Sequence, residues 1–267
     1  MGPLNRGIRV MPDTRPLAAD FTHFARQPDT VLEGALLVSR LVDPTTDVAW
    51  CREEICRLAA QVTRPGDPEA VLGALREAGF AGAVDYYETR NSALQFVLKA
   101  RQGIPITLAV VVIGVSAEVG LAAHGINFPG HFLVALNQTL VDPFTLEPVD
   151  DLDRRRRIRA SGVPSAQALR PANATDMVLR MLNNLRGLAV TQKNLPLALE
   201  YSDYQLILAG DNYLLRLVRA DLWHEIGLPA RVADELRAAL VLAPDPATKR
   251  QLETRLSQLS GQRPTLH

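Results

Sequence analysis

The chain has 267 residues, 47% of them apolar and 22% charged, with Lys plus Arg equal to Asp plus Glu at 29 each. Such a balance excludes wholesale disorder and leaves no global electrostatic case for nucleic acid or an anionic membrane; its length suits one large or two modest domains. No stretch supplies the ~20 apolar residues of a membrane span, and the start has no signal-peptide run, so a cytoplasmic location is expected.

Residues 1 to about 30 mix Pro, Arg and Asp without period and read as a loosely ordered arm. From Val31 the run E-G-A-L-L-V-S-R-L-V predicts a helix that D-P-T-T stops. A second is expected over about 46–62, with Trp50, Ile55, Leu58 and Ala59 near helical spacing, and a third over about 68–78, closed by Gly79. Cys51 and Cys56 point to different sides of the second helix, so neither a disulfide nor a metal pair is expected, and two small buried thiols are. No spacing for a metal site or a cofactor fingerprint appears elsewhere.

Asn91 and Ser92 are good N-cap residues for the helix L-Q-F-V-L-K-A, which Gly103 ends. Next, I-T-L-A-V-V-V-I-G-V-S-A-E-V-G is apolar all round, the pattern of a helix buried mid-domain, with Pro105 near its first position and Gly120 past its end. Two β-rich runs follow, H-F-L-V-A-L and T-L-V-D-P-F, separated by Asn137-Gln138, which predicts a hairpin. A turn there pairs His131 with Phe144 and Asp142 with Leu133. His131 and Asp142 then share one face as diagonal neighbours roughly 7 Å apart. Such a carboxylate orients an imidazole and favours its charged form, which is half of a catalytic triad; a hairpin His beside a turn-forming Asp is the plainer alternative.

Residues 151–175 are polar, with four consecutive arginines, Arg154 to Arg157, and read as a solvated linker. From 176 to about 260 the pattern is helical and faintly repetitive. Asp211 in L-I-L-A-G-D-N and Asp245 in L-V-L-A-P-D-P stand 34 residues apart, the period of tetratricopeptide repeats.

The run N-S-x-L-x-x-V-L-x-x-R-x-G-I-P-I-T-L, then Gly120-Leu121, P-G-H-F-L-V and V-D-P-F, resembles the SirB1 family of bacterial proteins, over about 35–244. That resemblance implies an α+β fold: a papain/transglutaminase-like domain over 31–150, with a helical N-terminal part and a small antiparallel sheet, followed by an all-α, tetratricopeptide-like region. It also implies a Cys–His–Asp triad, of which His131 and Asp142 match the second and third members. The slot for the Cys, at a helix N-terminus where a thiol is acidified, holds Pro105.

Three functions follow. The chain is a non-catalytic relic that binds or regulates, holding a protein or peptide partner through its helical repeats. Alternatively it is a weak hydrolase or acyltransferase using Thr107, His131 and Asp142, which requires the Thr107 hydroxyl within hydrogen-bond reach of the imidazole. Third, it is a scaffold with a closed cleft. Tyr86, Tyr87, Asn91 and Arg101 are candidate cleft-lining residues, and no cofactor is called for.

Overall fold

The computed structural model describes residues 15–261, and the residues before 15, the greater part of the expected loose arm's first half, lie outside the described residues. In chain order the elements are α1 (Ala18–Arg26), α2 (Val31–Val42), α3 (Val48–Ala59), α4 (Pro68–Glu77), β1 (Ala81–Gly82) and a 3-10 turn at Thr89–Ser92. They continue with α5 (Leu94–Ala100), β2 (Gln102–Gly103), α6 (Pro105–Glu118), β3 (Ala123–Ile126), β4 (Leu133–Leu136), β5 (Thr139–Asp142) and β6 (Glu147–Pro148). The last are α7 (Asp151–Ser161), α8 (Ser165–Ala168), β7 (Pro171–Ala172), α9 (Ala174–Thr191), α10 (Leu195–Ala209), α11 (Tyr213–Ile226), α12 (Pro229–Val241) and α13 (Pro246–Gly261). The architecture is α+β: mostly helical, with one small antiparallel sheet.

Helix α6 is the centre. Pro105 takes its first position, where the missing N–H costs nothing, and residues from Pro105 to Val112 are all buried. It packs on α2, α3, α4, α5, β3, β4 and α9. Each fully buried Leu or Val here contributes about 1.5–3 kcal/mol, which is why a sequence apolar on every side forms this helix only in the middle of a fold.

The sheet runs β6-β5-β4-β3-β7, antiparallel throughout. In the β4–β5 hairpin Val134 faces Val141 and Leu136 faces Thr139, the register that a turn at Asn137-Gln138 dictates; Asn137 sits at φ 51. Pleating sends Val134, Leu136 and Val141 into the main core and Leu133 to a second cluster with Ile126, Phe128, Ile158 and Ala168.

Three expectations change. Residues 18–26 are not part of a loose arm but form α1, whose Phe21 and Phe24 are buried; Phe21 lies 4.7 Å from the Tyr204 ring of α10. Residues 151–175 are not a solvated linker. Ile158 and Ala168 cover the outer face of the sheet, β7 pairs with β3, and the arginine run is a helix in which Arg154, Arg155 and Arg157 bridge to Asp151 or Asp153 one turn away. Third, Asn91 and Ser92 do not cap α5: they lie in the preceding 3-10 turn, and Ala93 occupies the cap without a side-chain bond.

Beyond the sheet, helices α9 to α13 pack in sequence, each on the next. Helix α9 also rests on α2, α6 and β7, and a single hydrophobic cluster runs from Phe21 to Leu222. The core around α6 thus continues through α9 and α10 to α11, whereas α11, α12 and α13 share a separate cluster of Ala220, Val232, Leu236, Ala239 and Leu252.

Candidate functional site

His131 precedes β4, after a loop in which Phe128 accepts the His131 amide at 3.1 Å and Gly130 turns at φ 72. Phe128 and Phe132, both buried, pin the loop on opposite faces of the sheet. From across the hairpin Asp142 brings Oδ2 to 2.8 Å from His131 Nε2, and its Oδ1 accepts the Phe144 amide at 2.8 Å. The two side chains are 19% and 18% exposed, so the pair is sheltered but open at one edge. Burial pushes the Asp142 carboxyl up, but the His131 hydrogen bond and the Phe144 amide outweigh it and hold it below the ordinary carboxylate range. The pair can orient an imidazole.

The rest of the expected triad is not assembled. Pro105 brings no polar hydrogen to the start of α6. Thr107 is fully buried, and its hydroxyl contacts the carbonyls of Asn91 at 2.8 Å and Ile104 at 3.0 Å. The expectation of Thr107 as a nucleophile is therefore corrected: its one hydroxyl proton is engaged by backbone carbonyls inside the core, not by the His131 imidazole. Neither cysteine replaces it. Both sit on α3; Cys51 is buried, with its thiol pushed up to about 11 by burial, while Cys56 is exposed, contrary to the reading of two buried thiols, and its thiol is also raised. No group of His, Cys, Asp and Glu able to hold a metal occurs among the described residues.

The other candidates separate into two groups. Asn91 is buried and donates to the carbonyls of Asp85 at 2.6 Å and Tyr86 at 3.3 Å, so it shapes the 85–88 loop rather than meeting a ligand. Tyr86 and Tyr87 form an edge-to-face pair, and Tyr86 lies 6.5 Å from the Phe144 ring. Together with Ser92, Ile104 and Asn184 they line a groove of about 330 Å³ between the loop and α9. Arg101 does not line a cleft with them. It turns at φ 58, stacks 4.8 Å over Phe80 and bridges to Glu54 of α3.

Sequence reasoning missed Arg180. From α9 its guanidinium reaches the His131 carbonyl at 3.2 Å, bonds the Asn127 side chain and stacks 5.5 Å over Phe132. Burial lowers its pKa, with Tyr86 opposing. Nothing local marks it, because an Arg on an amphipathic helix reads as a solvated charge. A close approach also holds the site together: the Gly82 amide donates to the Phe144 carbonyl at 3.0 Å, and a Cβ on Gly82 would stand 2.3 Å from the Phe144 ring.

A family model described as transglutaminase-like superfamily matches residues 50–183, the stretch from α3 through most of α9. The chain is 31% identical to a UPF0162 protein of Xylella fastidiosa over 202 residues, covering 71% of this chain and 72% of that protein. It is 28% identical to UPF0162 protein PA3419 of Pseudomonas aeruginosa over 260 residues, covering 92% and 96%. It is also 21% identical to F-box only protein 21 of Mus musculus, over 77% of this chain and 40% of that one. No solved structure matches it significantly.

Proposed function

Because the chain belongs to the transglutaminase-like superfamily yet offers no attacking group where α6 begins, we propose that it is a non-catalytic member that binds rather than transforms. In this reading it is a SirB1-type regulatory protein. The His131–Asp142 pair is the retained part of a papain-like triad and now serves recognition. Helices α9 to α13 act as a tetratricopeptide-like unit that holds a protein or peptide partner.

One observation carries the reading: the buried Thr107 hydroxyl is engaged with the Asn91 and Ile104 carbonyls, two residues after a proline in the slot where the family's chemistry needs a thiol. The imidazole therefore has an orienting carboxylate but no nucleophile to activate. Open grooves favour binding over a closed scaffold, since Tyr86 and Tyr87 line one and Asp142 borders another of about 200 Å³. No helix among the described residues is long and apolar enough to cross a membrane, and we place the protein in the cytoplasm.

The test has two parts. Incubation with a fluorophosphonate and a thiol-directed electrophile is expected to give no adduct that depends on His131. An adduct on any residue that disappears in His131→Ala would sink the non-catalytic reading. Affinity capture from the native cell, with wild type and with His131→Ala and Tyr87→Ala variants, then asks which surface binds. Loss of a partner in either variant assigns binding to the cleft; unchanged capture assigns it to the helices.

A further inference from the structure

Among the described residues, every arginine that is not exposed pairs with an Asp or Glu, from Arg15 with Asp203 to Arg255 with Asp221, except Arg180 and Arg186 on α9. Arg186 is held by the side-chain oxygens of Gln205 and Asn183, within the packing of α9 on α10. Arg180 differs in that it opens onto a cavity. Its partners are the Asn127 amide oxygen and the His131 carbonyl, which accept hydrogen bonds but cannot neutralise it. A half-buried cation with only neutral acceptors is costly to fold around, and it is the arrangement expected where the missing charge arrives with a ligand.

The cavity beside it has a volume of about 590 Å³, within the range of small-molecule sites. Its lining mixes apolar residues, Pro129, Val163 and Pro171, with polar ones, Asn127 and Gln167. Two further charges lie on its rim, Arg170 and Asp176, but they face each other at 3.7 Å and largely cancel. What remains is one positive charge in a chamber of mixed polar and apolar lining. A guanidinium matches a planar carboxylate with two parallel hydrogen bonds. The single net charge and the neighbouring Asp176 carboxylate disfavour a doubly charged phosphate.

We propose that the cavity between the 127–131 loop, α8, β7 and α9 is a binding site for a small carboxylic acid, its carboxylate held by Arg180 and its body lying against Val163 and Pro171. The Arg180–His131 carbonyl bond would place the acid directly behind the loop that carries His131, so occupancy tightens that loop. The site stands whether the His131–Asp142 pair binds or reacts.

Isothermal titration calorimetry on the full chain tests this with 4-phenylbutyrate and hexanoate, set against the uncharged 4-phenylbutyramide and inorganic phosphate. Both acids are expected to bind with one-to-one stoichiometry, with the amide and phosphate at least about tenfold weaker. Arg180→Met is expected to abolish binding of the acids, and Arg180→Lys to weaken it about tenfold, because a point charge replaces the fork. Val163→Trp, which fills the chamber and leaves Arg180 in place, is expected to abolish it too and keeps the test intact if Arg180→Met fails to fold. The proposal is overturned if neither acid gives a binding heat, if acid and amide bind alike, if phosphate binds more tightly than the acids, or if folded Arg180→Met or Val163→Trp protein binds as wild type does.

Discussion

Asp142 binds two partners at once, giving Oδ2 to His131 Nε2 and Oδ1 to the Phe144 amide, each at 2.8 Å. The carboxylate is thereby both the orienter of the imidazole and the lock of the turn that follows β5.

That dual role predicts the behaviour of Asp142→Asn. The substitution keeps the shape but removes the charge from two charge-assisted hydrogen bonds, at a cost of about 1–2 kcal/mol near neutral pH by urea denaturation. Because the folded carboxyl titrates below its ordinary value, its stabilisation is present above the unfolded value of 3.8 and fades as pH falls through the lower folded value. The gap between wild type and variant is therefore expected to shrink in strong acid, below the ordinary carboxylate range. A gap that grows between about pH 4 and pH 2 would contradict the assignment.

Gly82→Ala probes the contact beneath the same turn. The new methyl meets the Phe144 ring at 2.3 Å, and the ring must leave its place under Tyr86. Overpacking of this kind costs about 1–3 kcal/mol. Chemical shifts of the His131 ring are expected to move with it, through the Phe144–Asp142–His131 chain, whereas Gly66→Ala, at φ 86 but with nothing within 4 Å of the new methyl, is expected to leave them unchanged.

Thiol labelling reads out the two environments on α3. With an aromatic disulfide reagent at pH 8, native protein is expected to react at Cys56 alone and slowly, since both thiols are held above their ordinary values. Cys51 reacts only in denaturant. Rapid reaction of both in the native state would show α3 more open than its packing allows.

Arg219→Met tests the charged node that ties α10 to α11 and α12. Arg219 bridges to Glu235 at 2.7 Å and Asp203 at 2.5 Å and donates to Ser202 at 2.7 Å, with side chains of Arg219 and Glu235 only 10% and 7% exposed. Removing it leaves Glu235 buried with Arg216 as its remaining charge partner, at 2.9 Å. The expected loss is about 3–5 kcal/mol, and Arg219→Met with Glu235→Leu together are expected to lose less than the single variant does. Thermal denaturation of the two variants checks this.

Much of this molecule was legible in the chain itself. The hairpin register, and with it the His131–Asp142 pairing, follows from a short turn and a two-residue side-chain period, both local properties. The burial of α6 follows from a stretch apolar on every side. Tertiary packing decided the rest. Whether Thr107 faces the imidazole or the core depends on the Asn91 carbonyl, sixteen residues upstream. Residues 151–175 read as linker because their charges pair within one helix turn, and Ile158 finds its apolar neighbours only once the sheet exists. Arg180 is 49 residues from His131, and no pattern in either segment announces that α9 brings its guanidinium behind the imidazole loop. Local spacing set the orienting pair; long-range packing withheld its nucleophile and placed an unneutralised cation beside it.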